Sequence, residues 1–204
     1  MVNKGLMLIA VIAVFAIAYV FVFQPAQIPQ AQPLTFQNAL DQLDDVRITR
    51  SFSFAVVDEQ LLDYTDSDFS ELKQALQTFK TEIAGKKFAN ETDKQAILDL
   101  TDLDVLLADS TQARYNSLKA SKQLDSVINN PCPSLSLFEQ THAKTVETVN
   151  KALAVNAKAQ AFQSTYPAQA VTAEVANFIV NETVLQENLQ KSQTGINTLK
   201  QSCQ

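Results

Sequence analysis

Glycine is almost missing. Gly5, Gly85 and Gly195 are the only three in 204 residues. That scarcity excludes most phosphate-cradling loops, which need several glycines to bring backbone N–H groups onto an anion. It also argues against a sheet-rich fold, whose tight hairpins use Asn-Gly and similar pairs. Tryptophan is absent, and His142 is the only histidine. One histidine and two distant cysteines cannot supply the four ligands of a structural zinc. There is no G-x-S-x-G, no H-E-x-x-H and no nucleophile–base pairing. No catalytic, cofactor-binding or metal-binding residue is assigned on this reading, and a non-enzymatic role is expected. Clustered Lys and Arg are lacking too. With a net charge of −6, the chain has no phosphate-binding surface, so nucleic acid is not expected as a partner.

What is plentiful is Ala, Leu, Gln, Lys and Glu, a helix-forming composition. The fold class expected is all-α: an N-terminal transmembrane helix followed by an elongated antiparallel helical bundle.

Gly5 to Phe23, "GLMLIAVIAVFAIAYVFVF", carries no charge and no proline. As a helix it spans roughly 28 Å, close to the hydrocarbon thickness of a bilayer. A cleavable signal peptide is the rival reading, and Ala16-Ile17-Ala18 fits its cleavage pattern. Cutting there would leave "YVFVF" on the mature end, so a retained anchor is preferred. Lys4 precedes the segment. No Lys or Arg follows until Arg47, while Asp41, Asp44 and Asp45 do. The positive-inside rule then puts residues 1–4 in the cytoplasm and everything after 23 in an extracytoplasmic space, periplasmic or extracellular.

The leader "NKG" followed by "LMLIAVIAVF" resembles that of type IV prepilins, a short basic stretch ending in Gly before an apolar helix. The resemblance implies a filament subunit processed to a new terminus at Leu6. It covers the leader alone. The family has Glu at the fifth position after that Gly, where this chain has Ala10. The family's helix also runs on, whereas Pro25 ends this one.

Residues 24–35 hold Pro25, Pro29 and Pro33 among Gln and Ala. Proline at this density favours extended polyproline conformation, and ten such residues reach about 30 Å. A stalk is expected there, with the helical domain over 36–204. Within the domain a short helix is expected to Asp45. Val46, Ile48, Phe52, Phe54 and Val56 then alternate, so 46–53 reads as extended or irregular and 54–64 as helical. Asp68 and Glu71 read as a capping box for a helix over 69–84, stopped by Gly85 as a left-handed cap. This pair forms the shorter hairpin. Three long helices follow, over about 91–128, 136–164 and 168–203. The second carries the stripe Phe138, His142, Val146, Val149 and Leu153, with Glu139 completing a capping box. In the third, Val171, Val175, Phe178, Glu182, Leu185, Leu189, Ser192, Ile196, Leu199 and Cys203 step alternately by four and three, a heptad seam broken only by Glu182 and Ser192.

The two cysteines fit that plan. Cys132 lies between Pro131 and Pro133, and Cys203 is the second-last residue. If the last two long helices form an antiparallel hairpin turning at Thr165–Pro167, residues equally far from the turn lie side by side. Cys132 is 34 residues before Tyr166 and Cys203 is 36 after Pro167. A Cys132–Cys203 disulfide is therefore expected. Closing a loop of about 72 residues is worth on the order of 4 kcal/mol as an upper figure. The bond needs an oxidising compartment, the one that the anchor's orientation gives.

The remaining polar features read as structural. His142 sits on an apolar face and is expected as a packed or capped core residue. Asp66, Asp68 and Ser70 resemble half a calcium loop, but Glu71 stands where the sixth-position glycine is required. Asp99, Asp102, Asp104 and Asp109 are expected on a solvated helix face. Lys144, Lys151 and Lys158 recur every seven residues, with Glu147 four before Lys151, as on an exposed face supported by ion pairs. Of two glycosylation sequons, Asn90 is the more accessible candidate and Asn181 adjoins the seam. The expected function is a membrane-anchored binding, spacer or envelope-complex subunit, held in the membrane by residues 5–23 and meeting a protein partner through a helix face. A sensor or ligand-binding ectodomain is the alternative.

Overall fold

Thr65 shows how local chemistry sets the helix boundaries. Its hydroxyl accepts from the Asp68 N–H at 3.4 Å, and the Asp68 carboxylate accepts from the Thr65 N–H at 2.6 Å. This reciprocal box starts the helix three residues earlier than a box built on Asp68 and Glu71 would. Glu71 instead takes Arg50 at 3.0 Å. In the computed structural model, residues 32–50 and 57–204 are described, and residues 34–204 form one compact unit. The anchor expected over 5–23 and most of the stalk lie outside the described residues.

The elements in chain order are α1 (Phe36–Thr49), α2 (Asp58–Leu61), α3 (Asp66–Ala84), α4 (Glu91–Leu124), a 3-10 turn (Cys132–Ser134), α5 (Leu135–Thr165), α6 (Thr172–Ala176) and α7 (Glu182–Ser202). The described residues are all-helical apart from one isolated bridge between Leu34 and Phe88, which ties the start of the domain to the α3–α4 turn. The alternation of Val46 and Ile48 does not make a strand. α1 runs on through both, with Val46 packed against the core and Ile48 exposed to solvent. Residues 51–56, where the alternation continues, lie outside the described set.

α4 is the central helix. Ala96, Ile97, Leu100, Leu103 and Leu107 on it meet Leu40 and Leu43 of α1, Phe69, Leu72, Leu76, Phe79 and Ile83 of α3, and Val155, Ala159 and Phe162 of α5 in one core. Ala152 and Ala159 are buried and give α5 a narrow face, and α5 packs more extensively on α4 than on α7. The stripe expected on α5 is accordingly shared. Val149 is buried with Ala152, Val155, Asn156, Ala159 and Phe162, while Phe138, His142, Val146 and Leu153 are half-buried.

Three boundaries depart from the sequence reading. Gly85 has φ −81°, a right-handed conformation, and its N–H reaches Glu82 in a tight last turn. No left-handed cap is needed there. α4 stops at Leu124 and unwinds through successive three-residue turns to Asn130. α5 begins at Leu135, and Glu139 pairs with Lys200 at 2.7 Å instead of capping it.

The largest departure is the last helix, which is broken. α6 ends at Ala176 and α7 starts at Glu182. Two asparagines enforce the break. Asn181 accepts from the Thr183 and Val184 N–H groups as the cap of α7. Asn156, fully buried on α5, donates to the Val180 carbonyl at 2.7 Å and accepts from the Val180 N–H at 2.8 Å. Glu182 is thus no flaw in a continuous seam. It is the first residue of a new helix, where a carboxylate favours the N-terminal end of the dipole. The seam residues of α7 still face α5: Leu185, Leu189, Ser192, Leu199 and Cys203 are half-buried, and Ile196 is buried.

Candidate functional site

The molecule's polar side chains are arranged around α4 and α5. Asp99, Asp102, Asp104 and Asp109 do not share a solvated face. Asp104 is fully buried and takes Arg47 of α1 bidentately, Nε and Nη2 each at 2.8 Å. Asp102 pairs with Lys80 of α3. Asp109 joins Lys73 of α3 at 3.0 Å and Lys151 of α5 at 3.4 Å. Asp99 accepts from Lys158 at 2.9 Å and from the Tyr166 hydroxyl at 2.6 Å. Of the three lysines spaced by seven on α5, Lys151 and Lys158 cross to α4, and Lys144 alone stays with Glu147 on its own helix. α4 therefore fastens three neighbouring helices through its carboxylates.

Burial sets the titration of these groups. Loss of solvent pushes the Asp104 carboxyl up to about 6, against the opposing charge and hydrogen bonds of Arg47. Burial acts most strongly on the Arg47 guanidinium and lowers it, but the charges and hydrogen bonds of Asp104 and Asp44 together outweigh burial and raise the value. At Asp99 burial acts upward too. There the hydrogen bonds from Tyr166 and Lys158, with the lysine charge, win and hold the carboxyl below its ordinary range. Tyr166 is pushed up to about 12 by burial and by its bond to Asp99. These are fastening groups, each already engaged within the fold.

At the far end of α5 the two cysteines meet. Cys132 and Cys203 are disulfide-bonded, with Cα atoms 5.2 Å apart. The Lys200–Glu139 pair lies beside them. One helical turn further in, His142 is half-buried and bridges to α7. Nδ1 lies 2.9 Å from the Ser192 hydroxyl and Nε2 lies 2.9 Å from Gln193 Oε1. With both ring nitrogens engaged, His142 is a capped residue at a helix interface, in a shallow pocket of about 170 Å³ with Phe138, Ile196 and Leu199.

A larger cleft, about 420 Å³, opens where α4, α5 and the segment leading into α7 converge. Leu107, Ala152, Val155, Phe178, Val180 and Leu185 supply hydrocarbon. Ser110, Thr111, Thr148, Asn177 and Arg114 complete the lining. The cleft exists because α7 packs on α5 and the Cys132 turn but not on α4. The break at 177–181 sets its width, and the Asn156–Val180 bonds fix that break. Sequence periodicity does not reveal this cleft, because Val171, Val175 and Phe178 keep helical spacing up to the break.

Asn90, the candidate glycosylation site, is exposed and caps α4 through a 2.9 Å bond from the Thr92 N–H. Among the described residues, no cluster of three or more His, Cys, Asp or Glu could hold a metal ion. No described helix is long and apolar enough to cross a membrane. No family model, no curated protein and no solved structure matches this chain.

Proposed function

We propose that the chain is a non-enzymatic binding or spacer subunit of an envelope complex, anchored by residues 5–23 and carrying its helical domain on the extracytoplasmic side. The Cys132–Cys203 cystine supports the compartment most directly, because such a bond persists in an oxidising space. It clamps α7 where that helix buries only Ile196 completely. The long, mostly exposed outer face of α7 is then held rigid for a partner. Thiol alkylation of freshly prepared cells, read on reducing and non-reducing gels, tests this together with protease treatment of spheroplasts, whose outer layers are removed and whose inner membrane is intact. A blocked thiol pair and a protease-accessible domain are expected. Two free thiols, or a domain shielded from protease in intact spheroplasts, would end this reading.

A ligand-binding ectodomain is favoured by a separate observation, the cleft of about 420 Å³. That volume lies within the roughly 300–1,000 Å³ typical of small-molecule sites.

A further inference from the structure

We propose that Asn90 and Asn181 both accept an N-linked oligosaccharide. This rests on the extracytoplasmic reading, because N-glycans are added to chains that leave the cytoplasm.

The sequence requirement comes first. Asn90-Glu91-Thr92 and Asn181-Glu182-Thr183 are the two sequons of the chain. Both have glutamate in the middle, and neither is followed by proline.

Placement comes second. An unbroken helix over 168–203 would hold Asn181 in mid-helix beside its seam. The break puts it instead at the cap of α7, the place that Asn90 has on α4. Both asparagines have extended backbone, and all residues of both sequons are exposed.

Uncommitted atoms come third. In each sequon the asparagine Oδ1 accepts from the threonine N–H at 2.9 Å. Capping therefore occupies the oxygen. The nitrogen, Nδ2, has no hydrogen-bond partner among the described residues, whereas the buried Asn156 commits both its oxygen and its nitrogen to Val180. The sequon hydroxyls are open as well. Thr101, Thr111 and Thr148 donate to the carbonyls four residues back in their own helices. For Thr92 and Thr183 the residues four back, Phe88 and Ile179, lie outside the helix, and neither hydroxyl is bonded among the described residues.

The donor class is a lipid-pyrophosphate-linked oligosaccharide, within reach of a chain held at the membrane. Nδ2 attacks the anomeric carbon. The carbon–nitrogen bond forms, and the bond from that carbon to the pyrophosphate oxygen breaks. Nδ2 gives up a proton, and the lipid pyrophosphate leaves with the electron pair. Oδ1 is unchanged, so each helix keeps its cap.

The test uses the full chain isolated from the membranes of its own cells. Its intact mass should exceed that of its sequence by two oligosaccharides, which map to peptides containing Asn90 and Asn181. Asn90→Gln and Asn181→Gln should each remove one, and the double variant both. Thr92→Val and Thr183→Val should do the same while keeping the asparagine and its cap bond, and the corresponding serine variants should retain the sugar. Formation of the Cys132–Cys203 cystine reports folding in each variant. An unmodified chain, a single oligosaccharide, or sugar that survives the valine variants overturns the proposal. An unmodified chain that holds its cystine and is cut by protease in spheroplasts overturns the glycan assignment alone. Free thiols or a shielded domain overturn the compartment reading itself.

Discussion

Replacing Asn156 by leucine removes the buried side chain that pins Val180 in the break between α6 and α7 while keeping similar volume. Two main-chain groups of Val180 lose their partner at once. A buried group left without a hydrogen bond costs about 1–3 kcal/mol. Val180 is 45% exposed, so water recovers part of that cost. The expected loss is about 2–3 kcal/mol, measured by urea unfolding of the oxidised chain. Hydrogen exchange localises it. The Val180 amide should exchange at least tenfold faster, with neighbouring amides through Leu185 following and those of α3 unchanged. Asn177→Ala is the control: Asn177 is exposed, so its replacement should cost little. A loss for Asn156→Leu below about 1 kcal/mol, with Val180 protection unaltered, would refute the idea that this pair holds the break. The width of the cleft would then be set by something other than the Asn156–Val180 bonds.

Cys203→Ser should destabilise the chain by up to about 4 kcal/mol, with faster exchange confined to the C-terminal half of α7. Uniform loosening across the domain would count against a local clamp. Asp104→Ala should cost about 3 kcal/mol, the low end for a broken buried pair, because Arg47 is left largely buried with only the half-exposed Asp44 at 2.6 Å as its carboxylate partner; a loss under about 1 kcal/mol would mean that the pair is dispensable. The pH dependence separates two carboxylates. Asp104 has a folded value raised to about 6 from 3.8, so between those limits the folded chain binds more protons than the unfolded one. Stability from this group therefore falls as pH rises through the window. Going from pH 7 to 5 should stabilise the wild type relative to Asp104→Asn by about 1 kcal/mol. Asp99 has the opposite sign. Its lowered value gives stability that is present above the ordinary carboxylate range and lost as pH falls through the folded value. Chemical unfolding at several pH values checks both, and a wild type that loses stability relative to Asp104→Asn on acidification to pH 5 would contradict the first.

Much of this fold is legible in the sequence, though not always for the reason the sequence suggests. The four-and-three spacing from Leu185 to Cys203 identifies the face of α7 that packs, since those residues are its least exposed. The cysteine pair follows from counting equal distances on either side of the turn at Tyr166. Yet the count assumes an unbroken second arm. α5 is about 46 Å long and α7 about 31 Å, and the connector with α6 makes up the difference. The break itself hides in an ambiguity. Asn181-Glu182-Thr183 reads equally as a sequon and as a helix cap, and only tertiary context reveals the cap. The buried pair was open to detection. At 100° per residue, Asp104 lies about 160° around α4 from Asp102 and about 40° from Leu100, so it belongs to the apolar stripe. Four acids on one helix need not share one face. What no pattern supplies is the identity of the partners, because Arg47, Lys80 and Lys158 come from three different helices.

The position of the cystine follows from where the core ends. Almost all buried apolar side chains lie where α1, α3 and α6 cover the N-terminal half of α4 and the C-terminal half of α5. Toward Leu124 and Leu135 those covering helices are absent, and α7 contributes only Ile196 as a buried residue. Apolar burial at about 25 cal/mol per Å² cannot hold a helix that buries so little. A covalent tie, the Lys200–Glu139 pair and the His142 bridge stand in its place. The cleft lies at the boundary between the two regimes, with a floor from the main core and a mouth from the strapped helix. Reduction of the cystine should therefore loosen α7 and the mouth of the cleft while leaving α1, α3 and the floor intact. A ligand that needs both should lose affinity on reduction without any loss of the main fold.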